Sequence, residues 1–531
     1  MPPQTVSVRA RQRANWDAST CLSSQLRSVL SDGFCCSGVL IARGFLLSPA
    51  FLVAPFYSSA DALNREVEVS ALVVGPHQKK NGETSIEGKG EKMFQWVACT
   101  VVRLFRNEGF YQLMQKYFPE SEFNHFSSYK IESGVDEELR DLQLGSGISF
   151  SDFLILQLEQ WPFSASFDPL ICAGSVSKAD RVYVYGCPFG WTLPEVFHGS
   201  VSSGIVSNML GPRHEMLITD ARCVDGIEGG AVTVSVDNEE CLVGVVVTRI
   251  MGKSDACASS LALVCSIDSI RKSLDASEPQ LASILFDSLK TRADVFRANK
   301  AVDSVVRIIA GCNAGSGVII DSDLNLVLTC GHVVQCSTTC VHVQFPCEQT
   351  DGAHSICSAD VVWISDVPDI AVLKLNTSAR LRSLTLYAGD PYALTQSSIY
   401  LIGHIKLSHR DTGLTMTHGI VSNVVCDGTQ PVMLHTSAVI DEGASGGAVI
   451  IGNTNELVGI AACNVSDETG HMRYRDISLA IPVTWIRSVI QKIKRKGQLS
   501  DARQYLLSSE TAKLLWQLQS KRDHQTLKSK L

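Results

Sequence analysis

With 531 residues, 45% of them hydrophobic and 19% charged, the chain has the composition of an ordinary globular protein too long for one core, which predicts two domains or more. A formal net charge of −8 excludes the electrostatic signature of a nucleic-acid binder. No window holds about 18 uninterrupted apolar residues, so no membrane span is expected, and residues 1–20, with Arg9, Arg11 and Arg13, lack the apolar run of a secretory signal.

In chain order, the first half is a series of short apolar segments that recur in the second half. Residues 37–41 (SGVLI) match 316–320 (SGVII), and 45–53 (FLLSPAFLV) match the strand and turn before His332, with Phe51 at the histidine position. Residues 151–156 (SDFLIL) match the strand opened by Asp369, and 204–208 match 419–423, both reading GIVSN. Residues 225–232 (DGIEGGAV) match the turn around Ser445, with Glu228 in place of the serine, and Asp152 lies as far from Glu228 as Asp369 does from Ser445. Phenylalanine cannot accept a proton, and a glutamate at that turn has no base to activate it, so the first half is expected to be catalytically idle. Its role would be to support the active half, to bind substrate, or to make a homo-oligomer.

Between Phe51 and Asp152 the first half carries long insertions. Residues 77–92 are polar and glycine-bearing and read as an exposed loop open to nicking, and roughly 107–146 mix aromatic with acidic residues as a second insert. Residues 277–299 show helical spacing of Leu281, Ile284, Leu285, Leu289 and Val295, which predicts a helical connector.

The second half carries the chemistry. Residues 325–334 (NLVLTCGHVV) read as a buried strand ending in a small-residue turn that holds His332 where a general base is needed. Asp369 leads straight into the alternating strand that follows it, placed to accept from the second ring N–H of a histidine and so fix its tautomer. Residues 441–449 (DEGASGGAV) set a serine between glycines on a tight turn. Gly443 lets the backbone bend so that its N–H and that of Ser445 converge where a tetrahedral oxyanion would sit; Gly446 and Gly447 are read as leaving room for the substrate chain. Singly, these are a core or surface histidine, a strand-start cap and a hairpin turn. In the order His, Asp, Ser they point together to nucleophilic acyl transfer. Eighteen cysteines without a secretory signal imply reduced thiols. Their densest group, Cys330, Cys336, Cys340 and Cys347 with His342 nearby, lacks paired C-x-x-C spacing, so neither a metal nor a cofactor is expected. Beyond residue 484, Trp485, Ile486, Val489, Ile490 and Ile493 predict a helix, followed by a charged tail with a weak amphipathic stretch at 506–518.

These motifs resemble the chymotrypsin-fold serine proteases of the high-temperature-requirement (Deg) type. Residues 436–447 (TSAVIDEGASGG) are similar to that family's block around the serine, and 417–423 (THGIVSN) to the strand before it. The resemblance implies a mostly β chain of two tandem chymotrypsin-like double β-barrel domains, the first degenerate, with a short helical connector and a C-terminal helical tail. The expected domains are 1–276, with a long insertion at about 55–150, then the connector 277–300, the active domain 301–495 and the tail 496–531. The stretch after the last protease-like segment is too short for the PDZ domain usual in that family, so regulation by one is not implied. In such an enzyme His332, Asp369 and Ser445 are catalytic, and the N–H groups of Gly443 and Ser445 form the oxyanion hole. Val439 stands where a trypsin carries its pocket aspartate, and with Ala462 it is expected to wall a pocket for a small or moderately apolar P1 residue, cysteine included.

The last residues, Ser529-Lys530-Leu531, form the peroxisomal matrix address, which a soluble import receptor reads. Combined with the two trypsin-like halves, it resembles the processing proteases of the peroxisome. That implies imported matrix proteins as substrates, enzymes of fatty-acid β-oxidation among them, with removal of leader peptides carrying the type 2 targeting signal and with self-cleavage. Leaders of that class are commonly cut beside a cysteine, which makes Cys99-Thr100, downstream of the polar loop, the self-cleavage candidate. Two alternatives stay open: a non-proteolytic peroxisomal scaffold or chaperone for matrix enzymes, and a cytosolic protease of Deg type whose C-terminus is accidental.

Overall fold

Short apolar strands joined by turns must pair every main-chain N–H and C=O, and they do so without leaving edges by closing into barrels. The computed structural model of the protein describes residues 4–12, 34–57, 63–76, 92–118, 146–160, 171–173, 176–189, 193–236, 239–250, 261–286, 290–292, 300–335, 340–346, 354–366, 368–406, 412–452, 454–466, 473–496 and 516. The chain divides into two compact units, residues 1–253 with 259–297, and residues 254–258 with 298–531.

In the first unit, β1 (Thr5–Gln12), β2 (Phe34–Ala42), β3 (Phe45–Pro49), β4 (Val67–Pro76), β5 (Lys92–Arg106) and β6 (Asp152–Leu158) close in the order β1-β2-β3-β6-β5-β4. The second sheet contains β7 (Ile171–Ala173), β8 (Arg181–Gly186), β9 (Ser200–Leu210), β10 (Met216–Thr219), β11 (Ala231–Val236), β12 (Glu239–Arg249), β13 (Ala262–Ser266) and β14 (Lys290–Arg292). Its order is β11-β8-β9-β10-β13-β12-β7-β14, and pairing of β11 with β12 closes six of these strands into a ring.

In the second unit, β15 (Val305–Ala310), β16 (Asn313–Asp321), β17 (Leu326–Thr329), β18 (Val341–Pro346), β19 (His354–Asp366) and β20 (Asp369–Leu375) close as β15-β16-β17-β20-β19-β18. Its other barrel runs β21-β22-β23-β26-β25-β24, from β21 (Ser398–Lys406), β22 (Thr412–Asp427), β23 (Gln430–Thr436), β24 (Ala448–Ile451), β25 (Leu457–Ser466) and β26 (Arg473–Pro482). The protein is thus mostly β, with tandem chymotrypsin-like pairs of barrels. The units repeat in register: Val39 faces Leu47 in the first and Val318 faces Leu328 in the second. Gly204 and Gly419 are equally constrained, since a Cβ on either would lie 2.3 Å from a main-chain nitrogen, that of Ala221 or Ala438.

The barrels fill with the β-branched and leucine side chains that the sequence alternation places inward, such as Val8, Leu40, Leu46, Val69, Leu154 and Leu156 in the first. The terminal helix α4 (Val483–Lys496) buries Trp485, Ile486, Val489, Ile490 and Ile493, each burial stabilising by about 1.5–3 kcal/mol.

Three expectations change. The second insert opens with a helix, α1 (Glu108–Tyr117): Asn107 caps it by accepting from the Phe110 N–H at 2.9 Å, and Phe110, Leu113 and Met114 are buried. Residues 119–145 of that insert, and 77–91 of the polar loop, lie outside the described residues. The described residues of the connector form the end of one helix, a second short helix and a strand rather than one continuous helix. Following α2 (Ile267–Ser277), α3 (Pro279–Phe286) buries Ala282, Leu285 and Phe286 while Ile284 is 62% exposed, and Lys290–Arg292 then joins β7 as a parallel strand. Leu289 and Val295, and the targeting residues Ser529, Lys530 and Leu531, lie outside the described residues; of the 506–518 stretch only Trp516 is described, its indole N–H donating to Val432 O at 3.1 Å. Finally, Cys99 and Thr100 sit within β5, where Cys99 pairs with both Val69 and Leu158 and is 6% exposed. A protease cannot bind a strand hydrogen-bonded on both sides, so this bond is not an accessible cleavage site in the folded chain.

Candidate active site

The buried strand β17 runs out at Thr329, and Cys330 caps the helical turn Gly331–Val334 that carries His332. Strand β17 pairs with its neighbour β20 so that Thr329 faces Ala371, which brings Asp369 at the start of β20 close to the histidine. Asp369 holds His332 at two points: Oδ1 accepts from the main-chain N–H at 2.7 Å and Oδ2 contacts ring Nδ1. Facing a carboxylate, Nδ1 carries the proton, which leaves Nε2 as the basic nitrogen. A side chain at position 331 would obstruct this, since a Cβ there would lie 2.8 Å from Asp369 Oδ1.

The turn 441–447 is shaped by Gly443 at φ +96 and Gly446 at φ +86, a backbone region closed to most L residues. Its hydrogen bonds run inward: Ala444 N–H to Asp441 O at 3.0 Å, Gly446 N–H to Ala461 O at 2.8 Å, and Gly447 N–H to Ala444 O at 2.9 Å. Among the described residues, the N–H groups of Gly443 and Ser445 donate to no protein acceptor. Two adjacent unpaired donors on a rigid turn are what an oxyanion requires. The Ser445 hydroxyl donates to Ala462 O at 3.1 Å.

Gly446 and Gly447 do not serve as clearance for substrate. A Cβ on Gly446 would strike Ser316 O at 2.1 Å and one on Gly447 would strike Ile402 O at 2.4 Å, so both glycines are demanded by packing within the unit. Val439 and Ala462 are buried, and Val439 O accepts from the Thr417 hydroxyl at 2.9 Å. A cavity of about 690 Å³ lined by Leu381, Arg382, Leu384, Thr385, Asn455 and Glu456 includes none of these residues.

Donor atoms of Cys330, His332 and Asp369 lie within 4.8 Å of one another. The Cys330 thiol donates to Ala461 O at 3.2 Å, and burial, aided by the Asp369 charge, raises its pKa well above the ordinary thiol range. His332 and Asp369 pair directly with each other, while the Cys330 thiol is turned to the Ala461 carbonyl.

The matching positions of the first unit are occupied differently. Phe51 stacks against Phe150 at 5.7 Å between ring centroids. The Asp152 carboxylate is gripped in bidentate fashion by Arg106, at 2.7 and 2.9 Å, and accepts from the Ser149 N–H at 2.8 Å. Glu228, 2% exposed, folds back so that Oε2 accepts from the Gly226 N–H at 2.9 Å, the counterpart of the Gly443 donor. Burial pushes the Glu228 carboxyl above its ordinary pKa; its own N–H, the Arg249 charge and the Gly226 N–H pull it back. The sequence pattern marked the lost base and nucleophile, but not Arg106 or the carboxylate plugging the anion site.

Residues 315–460, which include His332, Asp369 and Ser445, match the trypsin-like peptidase domain family. The peroxisomal leader peptide-processing protease of Homo sapiens is 26% identical over 363 residues, 65% of this chain and 61% of that protein. Its Mus musculus counterpart is 26% identical over 415 residues, covering 74% and 70%. The chain is similar to the peroxisomal leader peptide-processing proteases. The chain is also similar to the periplasmic serine endoprotease DegP of Escherichia coli (strain K12), 28% identical over 201 residues, 37% of this chain and 39% of that one. The matched stretch spans about three fifths of the human relative.

Proposed function

We propose that the chain is a serine endopeptidase of the peroxisomal matrix that removes leader peptides from imported enzymes. Ser445 attacks the scissile carbonyl, His332 Nε2 takes its proton and returns it to the leaving amine, and Asp369 holds the imidazole in the required tautomer and offsets the imidazolium charge. The oxyanion is received by the N–H groups of Gly443 and Ser445. The observation that carries this reading is the pairing of a two-point His332–Asp369 clamp with a nucleophile turn whose two donors are unpaired among the described residues.

The relatives' names support the leader-peptide substrate class, and the terminal Ser-Lys-Leu supports delivery to the matrix by its import receptor. The apolar Val439 and Ala462 support a small or moderately apolar P1 residue. Self-cleavage within the folded chain must fall outside Cys99-Thr100, because β5 is paired on both sides at Cys99. Incubating the purified chain and its Ser445→Ala variant with a leader-bearing matrix enzyme, followed by intact-mass spectrometry, tests the proposal. Shortening by the wild type alone supports it; binding of substrate without shortening by either protein would transfer the function to a scaffold.

A further inference from the structure

The turn that presents Ser445 is held from behind by a residue of the other barrel in its unit, Ser316 on β16, fully buried. The Ser316 hydroxyl donates to Gly443 O at 2.8 Å and accepts from the His404 N–H at 2.8 Å, while its own N–H donates to Ser445 O at 2.8 Å. Lys406 N–H donates to Glu442 O at 2.9 Å, and Gly447 N–H to Ala444 O at 2.9 Å. In a trans peptide the C=O and N–H point in opposite directions. Anchoring the Glu442 and Ala444 carbonyls inward therefore turns the Gly443 and Ser445 N–H groups outward, and Ser316 fixes the one peptide that lies between these two.

We propose that Ser316 is the positioning residue of the oxyanion hole, setting the geometry of its two donors without touching substrate. This inference rests on the peptidase reading above and deepens it. The first unit contains the same clamp: the buried Ser37 hydroxyl donates to Gly226 O at 2.8 Å and accepts from the Cys187 N–H at 2.8 Å, and Ser37 N–H donates to Glu228 O at 2.7 Å. There the donor at Gly226 is already satisfied by the Glu228 carboxylate, so no reaction depends on the clamp. The molecule thus carries its own control, one clamp behind a hole that is proposed to work and one behind a hole that is filled.

The experiment compares Ser316→Ala and Ser37→Ala in the full chain, measuring kcat and KM on a leader-bearing peptide, Ki for a peptidyl aldehyde that forms a tetrahedral adduct, and thermal midpoints. Loss of a single oxyanion donor costs about 10²–10³ in kcat, and loosening two without removing either is expected to cost about 10–100-fold. The inference predicts that Ser316→Ala loses this in kcat, weakens the aldehyde in proportion and leaves KM within about twofold, while Ser37→Ala shows a similar fall in midpoint with unchanged kcat. Should the alanine variant not fold, Ser316→Cys, which keeps the side-chain shape with a somewhat larger atom and weakens both hydrogen bonds, carries the same comparison. Wild type that turns over alongside a fully active Ser316 variant overturns the positioning role; wild type that never turns over overturns the peptidase reading itself.

Discussion

Replacing Asp369 by asparagine separates the orienting role of the carboxylate from its bulk. In the native chain one oxygen takes the His332 main-chain N–H at 2.7 Å and the other faces Nδ1. Asparagine has one acceptor oxygen and one NH₂ group. Keeping the main-chain bond on the oxygen turns the NH₂ toward Nδ1, which must then be the bare nitrogen, so the ring proton moves to Nε2. A histidine in that tautomer cannot accept from Ser445. The expected loss in kcat is about 10⁴-fold, or about 5.5 kcal/mol in ΔΔG‡, with KM nearly unchanged because Asp369 lies behind the imidazole. Initial rates on a leader-bearing peptide near neutral pH, with the thermal midpoint as a folding check, read this out. A loss smaller than about tenfold in a folded variant would refute the assignment of Asp369 as the residue that sets the tautomer. Asp152→Asn is the matched control: its carboxylate is engaged by Arg106, not by a histidine, and kcat should not change.

Other perturbations probe the remaining parts. Because burial raises the Glu228 carboxyl, the folded chain binds that proton more tightly than the unfolded one, so its contribution is fully present below the ordinary carboxylate value and is lost as pH rises through the elevated one. Glu228→Gln removes this dependence, and the midpoint of the wild type should fall relative to the variant as pH rises above about 4.3; parallel curves would show that Glu228 does not titrate in this way. A peptide with arginine at P1 should be cleaved at least about tenfold more slowly than the same peptide with cysteine, since Val439 and Ala462 offer no counter-charge, and equal rates would remove the apolar pocket. Deleting Leu531 should shift the protein from peroxisomes to the cytosol in fluorescence imaging, and unchanged distribution would remove the targeting assignment.

Much of this architecture was legible because it is local. The order His332, Asp369, Ser445 lies in three short contexts, and the apolar periods that feed the barrels repeat in both halves, down to the Ser-Gly pair at 37 and 316. The features that escaped depend on strand register across long separations. Arg106 reaches Asp152 only because β5 and β6 pair those two residues directly, 46 positions apart. Ser316 meets Gly443 across 127 positions, and no local pattern reports that contact. Cys99 follows a polar stretch in the sequence, although β5 begins at Lys92 and pairs on both sides. The α1 helix was hidden by its aromatic and acidic composition, while Asn107 as a cap and Phe110, Leu113 and Met114 at helical spacing were the available signals.

The most direct test of the account is labelling of the purified chain with a fluorophosphonate, which reacts only with a serine activated by a base and an oxyanion hole, followed by peptide mapping. The account predicts one label per chain on Ser445, slowed strongly in His332→Ala and absent in Ser445→Ala. A folded wild-type chain that takes up no label, or takes it up on a residue other than Ser445, would contradict it.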